Sequence, residues 1–200
     1  MDITRNLSGT RALVVGAGLA FALAIGAAPT TALAEGRVGT TDVTIRTEID
    51  NIAFKTPTVI PFVAKADGTL QGPSENTTTI DNLSAYGIHV TNMKIGAKNS
   101  WSIVADAKTG TAQNSIDFKV GPDKAEKDAS SATQTTGLDL SKDANFDMKY
   151  QGIADGTDKI KLNVSGHVAR VTRDIYHATG TGDQVASITW TVEPGAHATS

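Results

Sequence analysis

From about residue 35 onward, apolar side chains return at every second position and not at every third or fourth. This limits the chain to strands with one covered and one wetted face. Val43, Ile45 and Ile49 alternate with Thr44, Arg46 and Glu48, and Ile88 and Val90 with His89 and Thr91. Ile116, Phe118 and Val120 oppose Asp117 and Lys119; Phe146, Met148 and Tyr150 oppose Asp147 and Lys149. The cleanest runs come last. Ile160, Leu162, Val164 and Val168 share one parity against Lys161, Asn163, Ser165 and His167, and Ala186, Ile188, Trp190 and Val192 oppose Ser187, Thr189, Thr191 and Glu193. Phase slips between Val90 and Met93 and between Ile49 and Ile52 predict bulges or strand ends. Turn signals such as Ala66-Asp67-Gly68-Thr69 and Ala154-Asp155-Gly156-Thr157 separate the runs. No amphipathic helix longer than a turn or two intervenes. The expected fold is therefore all-β, a single antiparallel β-sandwich or jelly-roll-like domain over residues 35–200. Residues 121–136, the most polar stretch, read either as a short helix over 124–130 or as a mobile loop.

The first thirty-four residues differ from the rest. Arg5 and Arg11 precede an uncharged apolar run over 12–28, and Ala32-Leu33-Ala34 precedes Glu35. A basic start, an apolar middle and a small-x-small exit make a secretory signal peptide over 1–34, cleaved between Ala34 and Glu35. The run is close to the shortest that spans a bilayer and is interrupted by Gly16, Gly18 and Gly26, so no membrane anchor is expected after cleavage. Val14-Val15-Gly16-Ala17-Gly18 imitates the glycine turn of a dinucleotide site, but Phe21 stands where the third glycine belongs.

Composition removes several chemistries. The chain has no cysteine, which excludes disulfide staples, thiol nucleophiles and a lipid-bearing Cys. With a formal net charge of −3, a pI near 5.8 and no long Lys or Arg run, no nucleic acid partner is expected. Neither a Gly-x-Ser-x-Gly elbow nor a His-Glu-x-x-His pair is present. His89 and His167 fall on outward strand positions and read as solvated, while His197 falls in a fraying tail. Asp139, Asp143, Asp147, Asp155 and Asp158 read as turn acids. Oxygen-rich loops of this kind also hold calcium, although none matches the twelve-residue calcium loop. The Asn-x-Ser/Thr matches at Asn6, Asn76, Asn82 and Asn163 read as chance in a Thr-rich chain. The expectation is a secreted protein without catalysis, cofactor or metal.

Two tryptophans stand out in a chain with 5% aromatics: Asn99-Ser100-Trp101-Ser102-Ile103 and Ser187-Ile188-Thr189-Trp190-Thr191-Val192. Over residues 41–194 this pattern resembles the WxL cell-surface domain of Gram-positive bacteria, which carries one Trp-x-Leu motif mid-domain and another in its final strand. Ile103 and Val192 stand where the family has Leu, and Ala186 stands where it often has Tyr. Val59-Ile60-Pro61-Phe62 and Ile88-His89-Val90-Thr91-Asn92 are also similar to family segments. The resemblance implies non-covalent binding to peptidoglycan or another cell-wall polymer, with other surface proteins as partners in adhesion. It makes Trp101, Ile103, Trp190 and Val192 the candidate binding residues. The residues after Pro194 contain no apolar sortase-type anchor, which agrees with attachment by binding. Alternation gives a second reading of the same residues: Trp190 shares a face with Ile188 and Val192, and Trp101 with Ile103, both core-like positions. The alternative function is a self-assembling fibre or pilus-like subunit of the cell surface or biofilm matrix, joined through edge strands.

Overall fold

The computed structural model describes residues 44–46, 51–73, 77–175 and 182–197. The leader, its exit at Ala34 and Glu35, and the expected strand positions Val43 and Ile49 lie outside the described residues, as do Asn6, Asn76 and His177. The chain divides into two units, Met1–Thr44 and Ile45–Ser200, and the fold below belongs to the second.

Its strands are β1 (Phe54–Lys55), β2 (Val63–Ala64), β3 (Thr69–Gln71), β4 (Thr79–Asn82), β5 (Ile88–Ala97), β6 (Ser102–Ile103), β7 (Ser115–Gly121), β8 (Lys127–Asp128), β9 (Leu138–Asp139), β10 (Asp147–Met148), β11 (Lys159–Lys161), β12 (Asn163–Ala169) and β13 (Ala186–Pro194). Short 3-10 turns at Ala129–Ser131 and Ala144–Phe146 accompany them, and no α-helix occurs among the described residues. The strands form three sheets: β1-β4-β11, then β10-β5-β13 with β9 also on β5, then β2-β3-β12-β7-β6 with β8 also on β7. Among the described residues every strand pairing is antiparallel except β6 on β7, and an isolated bridge between Ile95 and Thr133 is also parallel. The fold is all-β and sandwich-like, as the alternation predicts.

One apolar cluster serves all three sheets. It takes Ile80 and Ile160 from the first, Val90, Met93, Ile95 and Val192 from the second, and Leu70, Phe118 and Val120 from the third. The Phe62 ring meets Phe118 edge-on at 5.8 Å between centroids. Along β7 the expected parity holds, with Ile116, Phe118 and Val120 buried and Lys119 exposed. The slip after Val90 is a bulge: Thr191 lies opposite Asn92 but Val192 opposite Val90, so Thr91 is the extra residue.

Elsewhere the structure departs from the pattern. The run from Ile160 to Val168 is two strands in different sheets, broken at Leu162, whose N–H donates to the Thr78 carbonyl. Residues 121–136 hold neither a helix nor a loose loop. They form β8 and a 3-10 turn whose N-cap Asp128 accepts from the Ser130 N–H, with Ala129 and Ala132 buried. The alternation at Phe146–Tyr150 yields only two strand residues, because the Asp143 carboxylate caps a 3-10 turn that places Phe146 in the core and leaves Tyr150 exposed. The Ala66–Thr69 signal is a tight hairpin turn. Asp67 accepts the Thr69 N–H, and Gly68 sits at φ 82°, where a Cβ would also run into the Val168 carbonyl oxygen. Buried Asn82 joins β4 to distant chain by donating to the carbonyls of Tyr86 and Lys149 while accepting the Ser84 N–H. That use of Nδ2 leaves no amide for a glycan.

Candidate functional site

The first tryptophan motif is set by a turn. Asn99 and Ser100 both have positive φ, 48° and 60°, and the Trp101 N–H donates to the Lys98 carbonyl at 2.9 Å. This carries the chain from β5 to β6 and turns the indole inward, where Trp101 is 5% exposed. Its Nε1 donates to Asp183 Oδ2 at 2.9 Å. Asp183 also accepts from Asn99 Nδ2 at 3.0 Å and from the Arg173 guanidinium. Hydrogen bonding from Arg173, then from Trp101 and Asn99, holds the Asp183 carboxyl down at about 2. Trp101 is therefore a core residue with a tethered polar tip.

A carboxyl depressed in the folded chain stabilises it fully above the ordinary Asp range, near pH 4, and loses that contribution as pH falls toward about 2. Urea unfolding of the chain and of Asp183→Asn should thus differ most at pH 5 to 7, and the gap should narrow between about pH 4 and 2. An unchanged gap at pH 2 would remove Asp183 from this role.

The second motif lies in another sheet. Val192 is 7% exposed and belongs to the core cluster, while Trp190 and Ile103 are half-buried and pack against it. The structure brings all four residues to one apolar core without gathering them on a common surface. Two open depressions, about 430 and 290 Å³, are found on the β2-β3-β12-β7-β6 sheet, and none of the four residues lines either.

The larger depression lies beside the β2–β3 turn, between residues 64–68 and 168–175. Lys65 and Asp67 stand on one wall, Arg170 and Val171 on the other, with Ile175 at 41% exposure. Arg170 has positive φ, 52°, and its guanidinium is anchored to the carbonyls of Ala107 and Lys108. The wall is thereby held in one position. A charged, hydroxyl-poor rim over exposed aliphatic surface suits a ligand with both apolar faces and ionised groups.

The histidine readings need correction. His89 is not solvated but 2% exposed, its ring enclosed by Asp147, the Leu140 carbonyl and the His197 ring. Its Nδ1 lies 2.6 Å from Asp147 Oδ1 and its Nε2 2.9 Å from the Leu140 carbonyl. That carbonyl can only accept, which fixes a proton on Nε2. His197 is not frayed: its N–H and Nδ1 both reach Asp147, at 2.8 and 2.7 Å. Asp147 is thus a clamp between two histidines and not a turn acid. Alternation fixes which residues share a face but not whether chain covers that face, so nothing in the sequence marked this cluster.

His167 is half-exposed, and Asp117 beside it accepts the N–H groups of His167 and Ala107. Asp139, Asp143 and Asp155 each accept a backbone N–H two residues ahead, as turn acids do. Among the described residues no group of three or more His, Asp or Glu side chains is arranged so that it could hold a metal ion.

Comparison of the chain with protein-family models, with curated proteins and with solved structures finds no match.

Proposed function

We propose that this protein is a secreted, non-catalytic surface module that binds the Gram-positive cell wall, through peptidoglycan, without a covalent link. The leader pattern of residues 1–34 and the two tryptophan motifs support export and wall attachment. The single observation that carries the contact surface is the depression of about 430 Å³ bounded by Lys65, Arg170 and Ile175. Its volume is within the range of ligand clefts. A wall polymer supplies what such a surface asks for: sugar rings with apolar faces to lie on Ile175 and Val171, and peptide carboxylates to meet Lys65. In this reading the tryptophans build the scaffold and the depression makes the contact.

Co-sedimentation with purified Gram-positive cell wall tests it. The chain should pellet with wall and stay in solution without it. Lys65→Glu combined with Ile175→Asp changes only surface side chains, so the circular dichroism spectrum should remain that of the parent. Wall affinity should fall by about tenfold, roughly the loss of one good contact. A parent chain that never pellets with wall, or a double variant that pellets equally well, would defeat the reading.

A further inference from the structure

The strand β13 is nine residues long and pairs on one side with β5 along its whole length. Among the described residues no strand pairs with its other side. The other edge strands among the described residues, β1, β2, β6, β8, β9, β10 and β11, are only two or three residues long. A long free edge presents a row of unpaired N–H and C=O groups, and natural sheets shield such edges with charge, proline or shortness. None of these devices protects β13. Ala186-Ser187-Ile188-Thr189-Trp190-Thr191-Val192 contains no charge and no proline, and Glu193 and Pro194 come only at its end.

The strand is also complementary to itself. With a two-fold axis at Trp190, antiparallel pairing sets Thr189 opposite Thr191, Ile188 opposite Val192 and Ser187 opposite Glu193. Hydroxyl meets hydroxyl, β-branched side chain meets β-branched side chain, and Ser can donate to the carboxylate, with no like charges facing. On the core-facing side, burial decreases from Val192 to the half-buried Trp190 and Ile188, which leaves apolar surface at the edge for a second copy to cover.

We propose that β13 pairs with β13 of a second copy of this chain, forming a two-fold dimer in which one sheet runs through both subunits. One long edge per subunit is consumed by the pairing, so the assembly closes as a dimer; a fibre would need a second long edge. This inference is independent of wall binding, whose depression lies on a different sheet.

Sedimentation velocity of the chain and two double variants tests the register. Thr189 lies opposite Lys94 of β5, so a glutamate at 189 has a favourable neighbour within its own subunit. In the Thr189→Glu/Thr191→Lys variant each new glutamate faces the partner's new lysine; in Thr189→Glu/Thr191→Glu like charges face each other twice. The parent and the first variant should sediment at twice the mass of the single chain used. The second should dissociate at least about tenfold more readily, since directly opposed like charges destabilise strand pairs. As a check that does not depend on charge, the chain has no cysteine. Thr189→Cys/Thr191→Cys should therefore give a covalent dimer under mild oxidation. The proposal is overturned by a parent that is monomeric at about 100 µM, by equal dimerisation of the two charged variants, by an open-ended series of larger species, or by failure of the cysteine variant to cross-link.

Discussion

Trp101→Ala will destabilise the fold by about 3–5 kcal/mol, the usual result of emptying a buried tryptophan site. Two losses combine. The indole is 5% exposed within the common apolar cluster, so its removal opens a cavity beneath β6. It also withdraws the Nε1 donor from Asp183, which would then hold only Asn99 and Arg173. Trp101→Phe largely separates the two, since it keeps most of the ring volume while losing the hydrogen bond to Asp183. It should cost about 1–2 kcal/mol. Urea unfolding of the three proteins gives the comparison, and a Trp101→Ala value within about 1 kcal/mol of the parent would show that the site collapses freely. Under the proposed wall binding, a strongly destabilised Trp101→Ala would lose binding through unfolding, whereas variants at Lys65 and Ile175 test the contact itself.

Asp147→Ala should cost about 3 kcal/mol, the upper end of the range for leaving a buried polar group unsatisfied. One carboxylate meets three nitrogens: it accepts the His197 N–H and lies within hydrogen-bond distance of His89 Nδ1 and His197 Nδ1. Without it, Nδ1 of a ring that is 2% exposed loses its side-chain partner. The C-terminal segment would also lose its hold on β10. His197→Ala removes only that hold and should cost about 1 kcal/mol, the ordinary net value of a hydrogen bond. For a domain of this size the larger loss corresponds to about 6–12 °C in melting temperature. If His197→Ala destabilises as much as Asp147→Ala, the tail and not the buried ring carries the energy.

The parts of the fold that were legible are those with one wet face. Along β7 and β13, polar and apolar residues answer to opposite environments, so Lys119 and Thr189 mark the outside as clearly as Phe118 and Val192 mark the inside. The bulge at Thr91 was legible for the same reason, because an extra residue must shift the phase. The strands β8, β9 and β10 were not. Each has two residues, and their positions depend on Asp-capped turns and on what lies across the sheet. His89 looked solvated because its neighbours alternate, yet β5 is covered on both faces where β10 joins it. The candidate depression was hidden differently: its walls come from residues 64–68 and 168–175, and only the antiparallel pairing of β12 with β3, where Thr69 faces His167, brings them together.

The order in which the chain visits its sheets has a kinetic consequence. It moves from the β1 sheet to the β2 sheet, back to β4, across to β5, and so on, returning to each sheet more than once. Thr91 and Thr191, which meet across β5 and β13, are 100 positions apart. Non-local pairing of this kind folds slowly, since loop closure must come before the contacts that reward it. A ribosome making this chain releases β5 long before its partner exists. The β10-β5-β13 sheet can close only when β13 arrives, so the chain remains threadable until then.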